Sequence, residues 1–334
     1  MKIGTCEAKK GCLTKGWLDV GELAMGSPIR MPVMILQGEK EGPVLWINST
    51  VHGVEVNGIL ICRELAEEND PSKLAGTIVF TPINNPSGFQ ERHKFSGIDR
   101  LDMDQQYPGN PNGWYSEQVA YIHFQEVKKY AQYLISLHAL GLNYDVLPYT
   151  IYKKLGGVKP EINQAAADMA INFGYKAICE VDLSTADGEL PGNIGGNLDC
   201  NCLKAGIPAI MAETGAASIL QPDMIALTKK GIYNVMAWLK MIDQPVQKMY
   251  EDQFIVTKRK FPSSHRGGLL QGLCRAGQIL QPGEPFARIF NVFEDVEVIK
   301  ADSVWLPLGI GNDPVIDSGN VIGAVALEWH PVEQ

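Results

Sequence analysis

The most constraining feature of the chain is an alternation of short apolar runs with longer amphipathic segments, which continues to about residue 245. Such alternation is typical of an α/β fold, in which helices cover both faces of one sheet. Apolar runs predict strands, and apolar residues that recur every three or four positions predict helices. The predicted strands are 44–47, 77–82, 133–137, 176–181 and 208–212, and the predicted helices are 59–68, 119–130, 160–173, 198–204 and 224–242.

The pattern changes at about residue 251, where short apolar runs separated by turns rich in glycine and proline replace the helical periodicity. This pattern is typical of a small all-β domain. We therefore expect an α/β domain at residues 1–250 and a C-terminal β domain at residues 251–334. His265 and His330 of the second part are expected to be structural or surface residues, and His123, on an apolar helix face, is expected in the core.

Composition excludes several classes of function. The net charge of −9 and the lack of a basic patch argue against nucleic-acid binding. No apolar run reaches the roughly 18 residues of a membrane span, and the N-terminus lacks the apolar core of a signal peptide. Seven cysteines, an odd number, fit a reducing cytoplasm better than a disulfide scaffold. We expect a cytoplasmic protein that acts on a small molecule, and a homo-oligomer is compatible with the sequence.

Titratable side chains lie just past the ends of three predicted strands. His52 and Glu55 follow the first strand, His138 follows the third, and Glu213 follows the fifth. Ligands of open α/β sheets bind at the carboxyl ends of the strands, so these side chains are expected to meet. Two histidines and one carboxylate, with a fourth position open, are a usual set of protein ligands for catalytic zinc. The pattern predicts one Zn²⁺ per chain, bound by His52, Glu55 and His138.

A hydrolase with such a site also needs a proton carrier and a cation near the substrate carbonyl. Glu213 is the predicted general base and acid, because the apolar residues before it favour burial of its carboxyl group, which raises a carboxyl pKa. The long segment 83–114 shows little periodicity and is a predicted substrate loop. It supplies Arg92 and Lys94, and the sequence does not decide which of them polarises the carbonyl.

Four motifs in this order resemble those of the succinylglutamate desuccinylase/aspartoacylase family of the zinc carboxypeptidase superfamily. They are H-G-x-E at 52–55, N-P-x-G at 85–88, a partial D-L-H at 136–138 and E-x-G at 213–215. The resemblance implies a zinc-carboxypeptidase-like mixed sheet flanked by helices and followed by a small all-β domain. It implies the same zinc ligands and the same role for Glu213, and a substrate contact at Asn85. The implied reaction is hydrolysis of the amide bond of a small N-acylated amino compound.

The chain departs from the family where its members read D-L-N-R-x-F-P-G. Residues 102–109 place Asp104 and Gln105 where the family has an asparagine and an arginine that bind a substrate carboxylate. Asp104 therefore predicts a neutral or cationic group at this end of the substrate. The alternative is that Arg92 or Arg100 folds into the site and restores carboxylate binding. In the partial D-L-H motif, Ser136 replaces the aspartate, so any contact made by that residue is expected to be weakened or lost.

Two further functions stay open. A metallocarboxypeptidase that trims peptide C-termini would use the same metal site, but it would need the missing asparagine and arginine to bind a terminal carboxylate. A homologue that binds a metal or a ligand after losing its hydrolytic activity is compatible with the altered loop. The joint presence of His52, Glu55, His138 and Glu213 argues against this second alternative.

Overall fold

The computed structural model describes residues 1–183 and 193–332. The glycine-rich sequence at 190–197 predicts a loop before the helix at 198–204, and this loop lies partly outside the described residues. The strands are β1 (Lys2–Ile3), β2 (Cys6–Glu7), β3 (Cys12–Glu22), β4 (Pro28–Gln37), β5 (Lys40–Ser49), β6 (Ala75–Thr81), β7 (Tyr133–His138), β8 (Asp145–Val146), β9 (Tyr149–Lys154), β10 (Ala177–Asp182), β11 (Ala209–Glu213), β12 (Phe254–Lys260), β13 (Gly268–Gly272), β14 (Pro285–Phe290), β15 (Asp295–Lys300), β16 (Leu306–Ile310), β17 (Val315–Ile316) and β18 (Gly323–Pro331). The α-helices are α1 (Asn57–Glu68), α2 (Pro86–Glu91), α3 (Tyr115–Tyr130), α4 (Pro160–Phe173), α5 (Leu198–Lys204) and α6 (Pro222–Trp238). Short 3-10 helices span Pro71–Lys73, Met103–Gln105 and Ile194–Gly196.

A mixed sheet of twelve strands runs through the described residues, in the order β3-β4-β6-β5-β7-β11-β9-β10-β12-β18-β16-β8. Strand β5 pairs in parallel with β6 and β7, and β7 pairs in parallel with β11. The strands that precede the predicted ligands are therefore neighbours whose carboxyl ends meet at one edge. Strand β9, which the sequence pattern does not predict, runs antiparallel to β11 and parallel to β10.

Alternate residues of the central strands enter two separate cores. In β5, Leu45 and Ile47 pack in the core beneath α1, α4 and α6, whereas Trp46 packs in the core beneath α3. All three side chains are fully buried. This period of two is the geometry of a strand covered on both faces. The helices on both faces confirm the predicted α/β class.

The described residues after 251 contain strands and no α-helix, which confirms the predicted β structure of this part. Strands β13, β14, β15 and β17 form a separate antiparallel sheet in the order β15-β14-β13-β17. Strands β12, β16 and β18 instead extend the main sheet, because β12 pairs in parallel with β10. The division into domains at residue 251 stays a prediction, since the main sheet continues across it.

Segment 83–114 contains more regular structure than its lack of periodicity predicts. Helix α2 begins after Asn85, whose side-chain oxygen accepts a hydrogen bond from the Gly88 N–H at 2.9 Å. Pro86 occupies the first helical position, where its missing N–H carries no penalty. The helix is too short to produce a detectable apolar periodicity, which explains why the sequence pattern misses it.

The remaining histidines lie as expected. His123 is fully buried, with Nδ1 3.1 Å from the Tyr107 hydroxyl, while His265 and His330 are exposed on the C-terminal part. No helix in residues 1–183 and 193–332 has the length and apolarity to cross a membrane.

Candidate active site

Four titratable side chains gather at the carboxyl edge of β5, β7 and β11. His52 and Glu55 follow β5, His138 is the last residue of β7, and Glu213 is the last residue of β11. His138 and Glu213 are register partners in neighbouring parallel strands. The four side chains are buried, with residual exposures of 3% to 9%. The structure thus brings together the residues that the sequence pattern predicts to meet.

The glycine of the H-G-x-E motif is required by close packing. A Cβ atom on Gly53 would lie 2.1 Å from the backbone carbonyl carbon of Gly88 in α2, so no larger residue fits. The Gly53 N–H also donates a hydrogen bond to the Lys94 carbonyl oxygen at 3.2 Å. These contacts hold the loop that carries His52 and Glu55 against the segment that carries Lys94.

His52, Glu55 and His138 form a cluster that could hold a metal ion. Their candidate ligand atoms all lie within 4.8 Å of one another. Glu55 Oε1 lies 2.7 Å from His52 Nδ1, and Glu55 Oε2 lies 3.2 Å from His138 Nδ1. The second contact lacks hydrogen-bond geometry, so this buried oxygen has no hydrogen-bond partner in the described part of the chain. The Glu55 carboxylate thus lies between the two imidazoles, with one oxygen beside each Nδ1 atom.

The outer nitrogen of each histidine has its own partner. His52 Nε2 lies 3.0 Å from Asp102 Oδ1, and His138 Nε2 lies 2.9 Å from Ser136 Oγ. Asn48 donates a further hydrogen bond to Ser136 Oγ at 3.1 Å. Such partners fix the ring orientation and tautomer of metal-binding histidines. Ser136 thus keeps a contact with His138 but lacks the charge of an aspartate, which agrees with the expected weakening of this contact and not with its loss.

The charges of the cluster favour a bound cation. Burial alone lowers the pKa of His52, but the Glu55 and Asp102 carboxylates outweigh burial and raise the pKa to about 10. Burial raises the pKa of Glu55, but the two histidines lower it to about 2. The carboxylates therefore attract protons onto the imidazoles, and a divalent cation would displace these protons. Two imidazoles and one carboxylate are a donor set that fits Zn²⁺.

Glu213 has the environment of a proton carrier. Burial is the largest influence on its pKa, and with the Glu55 carboxylate it raises the value to about 7. Its Oε2 atom is buried and has no hydrogen-bond partner within residues 1–183 and 193–332. A carboxyl group of this kind can accept and release a proton near neutral pH.

The cluster opens into two connected spaces. The outer cavity, of about 700 Å³, is lined by Val54, Arg92, His93, Phe95, Leu142 and Tyr144, and by Leu270, Asp313 and Val315 of the C-terminal part. The inner pocket, of about 230 Å³, is lined by Asp102, Gln105, Tyr149, Ile151, Ile194, Asn197, Arg259 and Phe261. Both spaces share His52, Lys94, Asp104, Leu140, Met211, Glu213 and Val321.

Of the two predicted cations, Lys94 lies nearer to the cluster. Its Nζ atom lies 3.8 Å from Asp102 Oδ2, and its charge lowers the pKa values of both Glu213 and His52. Arg92 ends α2 in a left-handed conformation and lines only the outer cavity. Lys94 is half-exposed and lines both spaces.

Asp104 and Gln105 line the inner pocket but differ in how their side chains are engaged. Asp104 is buried, and its carboxylate accepts hydrogen bonds from the Asn197 side chain and from the Leu198 N–H at 3.3 Å. Gln105 donates to Asp102 Oδ2 at 3.2 Å and accepts from the Asn193 N–H at 2.9 Å. Both ends of the Gln105 amide are therefore already bonded.

Asn85 and Arg100 do not line either space within the described residues. The Asn85 side chain is engaged by its capping contact in α2 and by a hydrogen bond from its amide to the Val51 carbonyl at 3.2 Å. Arg100 pairs with Glu91 at 2.8 Å. The substrate contact implied for Asn85 therefore has no support from its position, and the alternative in which Arg100 enters the site has none either.

Three residues of the site are absent from the sequence prediction. Asp102 is the contact of His52, Asn197 contacts Asp104, and Arg259 of β12 is a buried cation that lines the inner pocket. Asp102 matches the first residue of the family's D-L-N-R-x-F-P-G motif, and this match could have identified it from the sequence. No local pattern distinguishes Asn197 or Arg259, because their contacts depend on the tertiary fold.

Comparison with known proteins places this architecture in a family. Residues 41–239, more than half of the chain, match the Succinylglutamate desuccinylase/Aspartoacylase catalytic domain. The chain belongs to this family. A relative in Halomonas elongata, N-alpha-acetyl-L-2,4-diaminobutyric acid deacetylase, is 22% identical over 275 residues, which are 81% of this chain and 77% of that protein.

Solved structures share the fold of this family member. The succinylglutamatedesuccinylase/aspartoacylase from Rhodobacter sphaeroides matches with a TM-score of 0.82 at 18% identity, covering 96% of each chain. The product-bound Ectoine utilization protein EutE (DoeB) from Ruegeria pomeroyi matches with a TM-score of 0.82 at 18% identity, covering 98% of this chain and 100% of that chain. The family and the deacetylase relative support a deacylase of small N-acyl amino compounds.

Proposed function

We propose that this protein is a zinc-dependent hydrolase that cleaves the amide bond of a small N-acylated amino compound. One observation carries the proposal: a buried His-Glu-His donor cluster shares its cavity with Glu213, whose pKa lies near 7. The deacetylase from Halomonas elongata supports the reaction class, because that relative is named for removing an acetyl group from an amino compound.

His52, Glu55 and His138 would hold the metal, with Asp102 and Ser136 orienting the two imidazoles. A divalent metal bound there supplies a Lewis acid that polarises the substrate carbonyl and makes water more acidic. The protein contributes the burial of the three ligands, which strengthens their interaction with a cation.

Glu213 takes the proton from the attacking water and passes it to the leaving nitrogen. A pKa near 7 suits both transfers, because the carboxylate is basic enough to accept the proton and the acid strong enough to return it. Oε2 of Glu213 has no partner in the described residues that would compete for this proton.

Lys94 is the proposed cation for the developing negative charge on the carbonyl oxygen. Its charge already acts on Glu213 and His52, and it lines both spaces beside them. Arg92, at the rim of the outer cavity, is then available for the acyl end of the substrate.

The carboxypeptidase alternative lacks support from the inner pocket. Gln105 replaces the family arginine and has both ends of its amide bonded, and the neighbouring Asp104 would repel a terminal carboxylate. A non-hydrolytic binding protein would share every feature of the metal cluster, so a direct assay must separate it from an enzyme.

The test combines metal analysis with a hydrolysis screen of N-acetylated amines, N-acetylated amino acids and C-terminal dipeptides. We expect about one zinc per chain, loss of zinc in His138→Ala, and zinc without turnover in Glu213→Gln. The exposed His265 provides the matched control, since His265→Ala removes an imidazole that contacts Glu297 and lines neither space of the site. Bound zinc with no hydrolysis of any acyl amide would reject the proposal in favour of a binding protein.

A further inference from the structure

Asp104 is a buried carboxylate that forms no ion pair with a cation in residues 1–183 and 193–332. Its exposure is 3%, and it lines both the outer cavity and the inner pocket. Its two hydrogen bonds come from neutral donors, the Asn197 amide and the Leu198 N–H. It forms no ion pair with any described cation, although most buried charges in proteins are paired.

The carboxylate of Asp104 is held in place by a chain of buried polar contacts. Asn197 donates to Asp104 through its amide nitrogen and accepts from Lys153 Nζ through its amide oxygen at 2.9 Å. Lys153 Nζ also pairs with Asp199 Oδ1 at 2.6 Å, and the side chains of this pair are 2% and 0% exposed. The lysine therefore fixes which end of the Asn197 amide faces Asp104.

Cations and carboxyl groups both lie around Asp104. Lys153 is engaged by Asp199, Lys94 lies beside Asp102, and Arg259 also lines the inner pocket. Asp102, Asp104 and Glu213 are three carboxyl groups on the inner pocket. A cationic substrate group in contact with Asp104 would offset the desolvation of its carboxylate, whereas an anionic group would add repulsion.

We propose that Asp104 binds an ammonium group carried by the leaving amine, and that Asn197 and Lys153 are positioning residues for its carboxylate. The substrate class is then an N-acylated compound with a second, free amine. This inference rests on the proposed deacylase function for the orientation of the substrate. Asp104 would then bind a positively charged substrate group at the position where the family motif binds a carboxylate.

Three acetamides of matched length test the preference: monoacetylputrescine ends in an ammonium, N-acetylpentylamine in a methyl and N-acetyl-δ-aminovalerate in a carboxylate. We expect kcat/KM for the ammonium compound to exceed that for the methyl compound about 10- to 100-fold, as for a hydrogen bond to a charged group. The carboxylate compound should be the slowest. Asp104→Asn should bring the ratio of ammonium to methyl compound close to one.

Positioning residues are tested by the split between KM and kcat. Lys153→Met should raise KM for monoacetylputrescine more than it lowers kcat, and Lys153→Arg should restore part of the loss. Lys154→Met is the matched control, because Lys154 is the neighbouring lysine, is 45% exposed and pairs with Glu180 instead. If Lys153→Met lowers kcat/KM equally for monoacetylputrescine and for N-acetylpentylamine, the role of Lys153 is purely structural and this part of the inference is overturned.

A binding measurement separates failure of the inference from failure of the proposed function. Calorimetry on the inactive Glu213→Gln variant with monoacetylputrescine and N-acetylpentylamine reports recognition of the ammonium without turnover, because N-acetylpentylamine carries no charge. If monoacetylputrescine binds no more tightly than N-acetylpentylamine, the inference is overturned, even where the wild type hydrolyses all three acetamides. If the wild type hydrolyses no acetamide, the proposed function fails, while tighter binding of monoacetylputrescine that disappears when Asp104→Asn is added still supports the role of Asp104.

Discussion

Replacing Asp102 tests whether the outer contact of His52 supports the metal site. Asp102 Oδ1 lies 3.0 Å from His52 Nε2, and both side chains are 11% exposed. In Asp102→Asn the amide oxygen can still accept this hydrogen bond, but the negative charge is lost. The amide nitrogen would meet the Gln105 side-chain nitrogen, which now donates to Asp102 Oδ2 at 3.2 Å. The variant therefore loses a charge-assisted contact and gains a donor–donor conflict.

The size of the effect follows from the type of contact. Loss of an orienting partner of a metal-binding histidine lowers metal affinity about 10- to 100-fold, or about 1.4 to 2.8 kcal/mol. Ser136→Ala removes a neutral hydrogen bond from His138, which contributes about 0.5 to 1.5 kcal/mol, or about 2- to 10-fold in affinity. The structure thus predicts an order, with Asp102→Asn weaker in zinc binding than Ser136→Ala.

The assay is competition for Zn²⁺ between the metal-free protein and a chromophoric chelator, read by absorbance. Asp243→Asn is a control for the loss of one negative charge, because Asp243 is exposed and lines neither space of the site. Wild-type affinity in Asp102→Asn would refute the reasoning, because the contact with His52 would then have no influence on the metal. A larger loss in Ser136→Ala would refute the assigned importance of charge.

Three further outcomes follow from the same site. Glu213→Gln should lower kcat about 100- to 10,000-fold with unchanged zinc content. In the wild type, kcat/KM should fall as pH decreases through about 7, where Glu213 becomes protonated. If kcat/KM stays constant down to pH values well below that pKa, Glu213 is not the base. Lys94→Ala should reduce kcat more than Arg92→Ala, and the reverse order in steady-state kinetics would move the carbonyl contact to Arg92. Removal of zinc by a chelator should lower the thermal unfolding temperature, because a ligand at 100 times its Kd stabilises the folded state by about 2.7 kcal/mol. Scanning calorimetry of the two forms measures this difference. Equal unfolding temperatures with and without zinc would contradict a metal site in the folded protein.

The sequence predicts that the four titratable side chains meet because their placement is a consequence of strand order. Parallel strands bring their carboxyl ends to one edge of the sheet. Once the strands that precede them are identified, His52, Glu55, His138 and Glu213 are therefore expected to lie together. The apolar runs identify those strands without knowledge of their pairing. Such a run is a local property of the sequence, because a strand buried on both faces is apolar along its whole length.

The inner pocket could not be predicted in the same way, since its contacts join distant segments. Asp102 reaches His52 across 50 positions, and Asn197 reaches Asp104 across 93. The segment around Asp104 has no periodicity that would indicate its course, and β9, which carries Lys153, is a short strand inserted antiparallel to β11. The residue at position 104 departs from the family motif, but only the fold reveals which groups surround its carboxylate.

The C-terminal part takes on a role in the site that its sequence does not indicate. Strand β12 pairs with β10, so the C-terminal strands continue the main sheet beside the metal cluster. Arg259 and Phe261 thereby line the inner pocket, while Leu270 and Val315 line the outer cavity. The two spaces are therefore bordered both by a loop of the α/β part, which provides Asp104, and by walls from two different sheets of the β part. Because Arg259 belongs to β12 of the main sheet, a change at Arg259 is expected to alter the inner pocket without disturbing His52, Glu55 and His138.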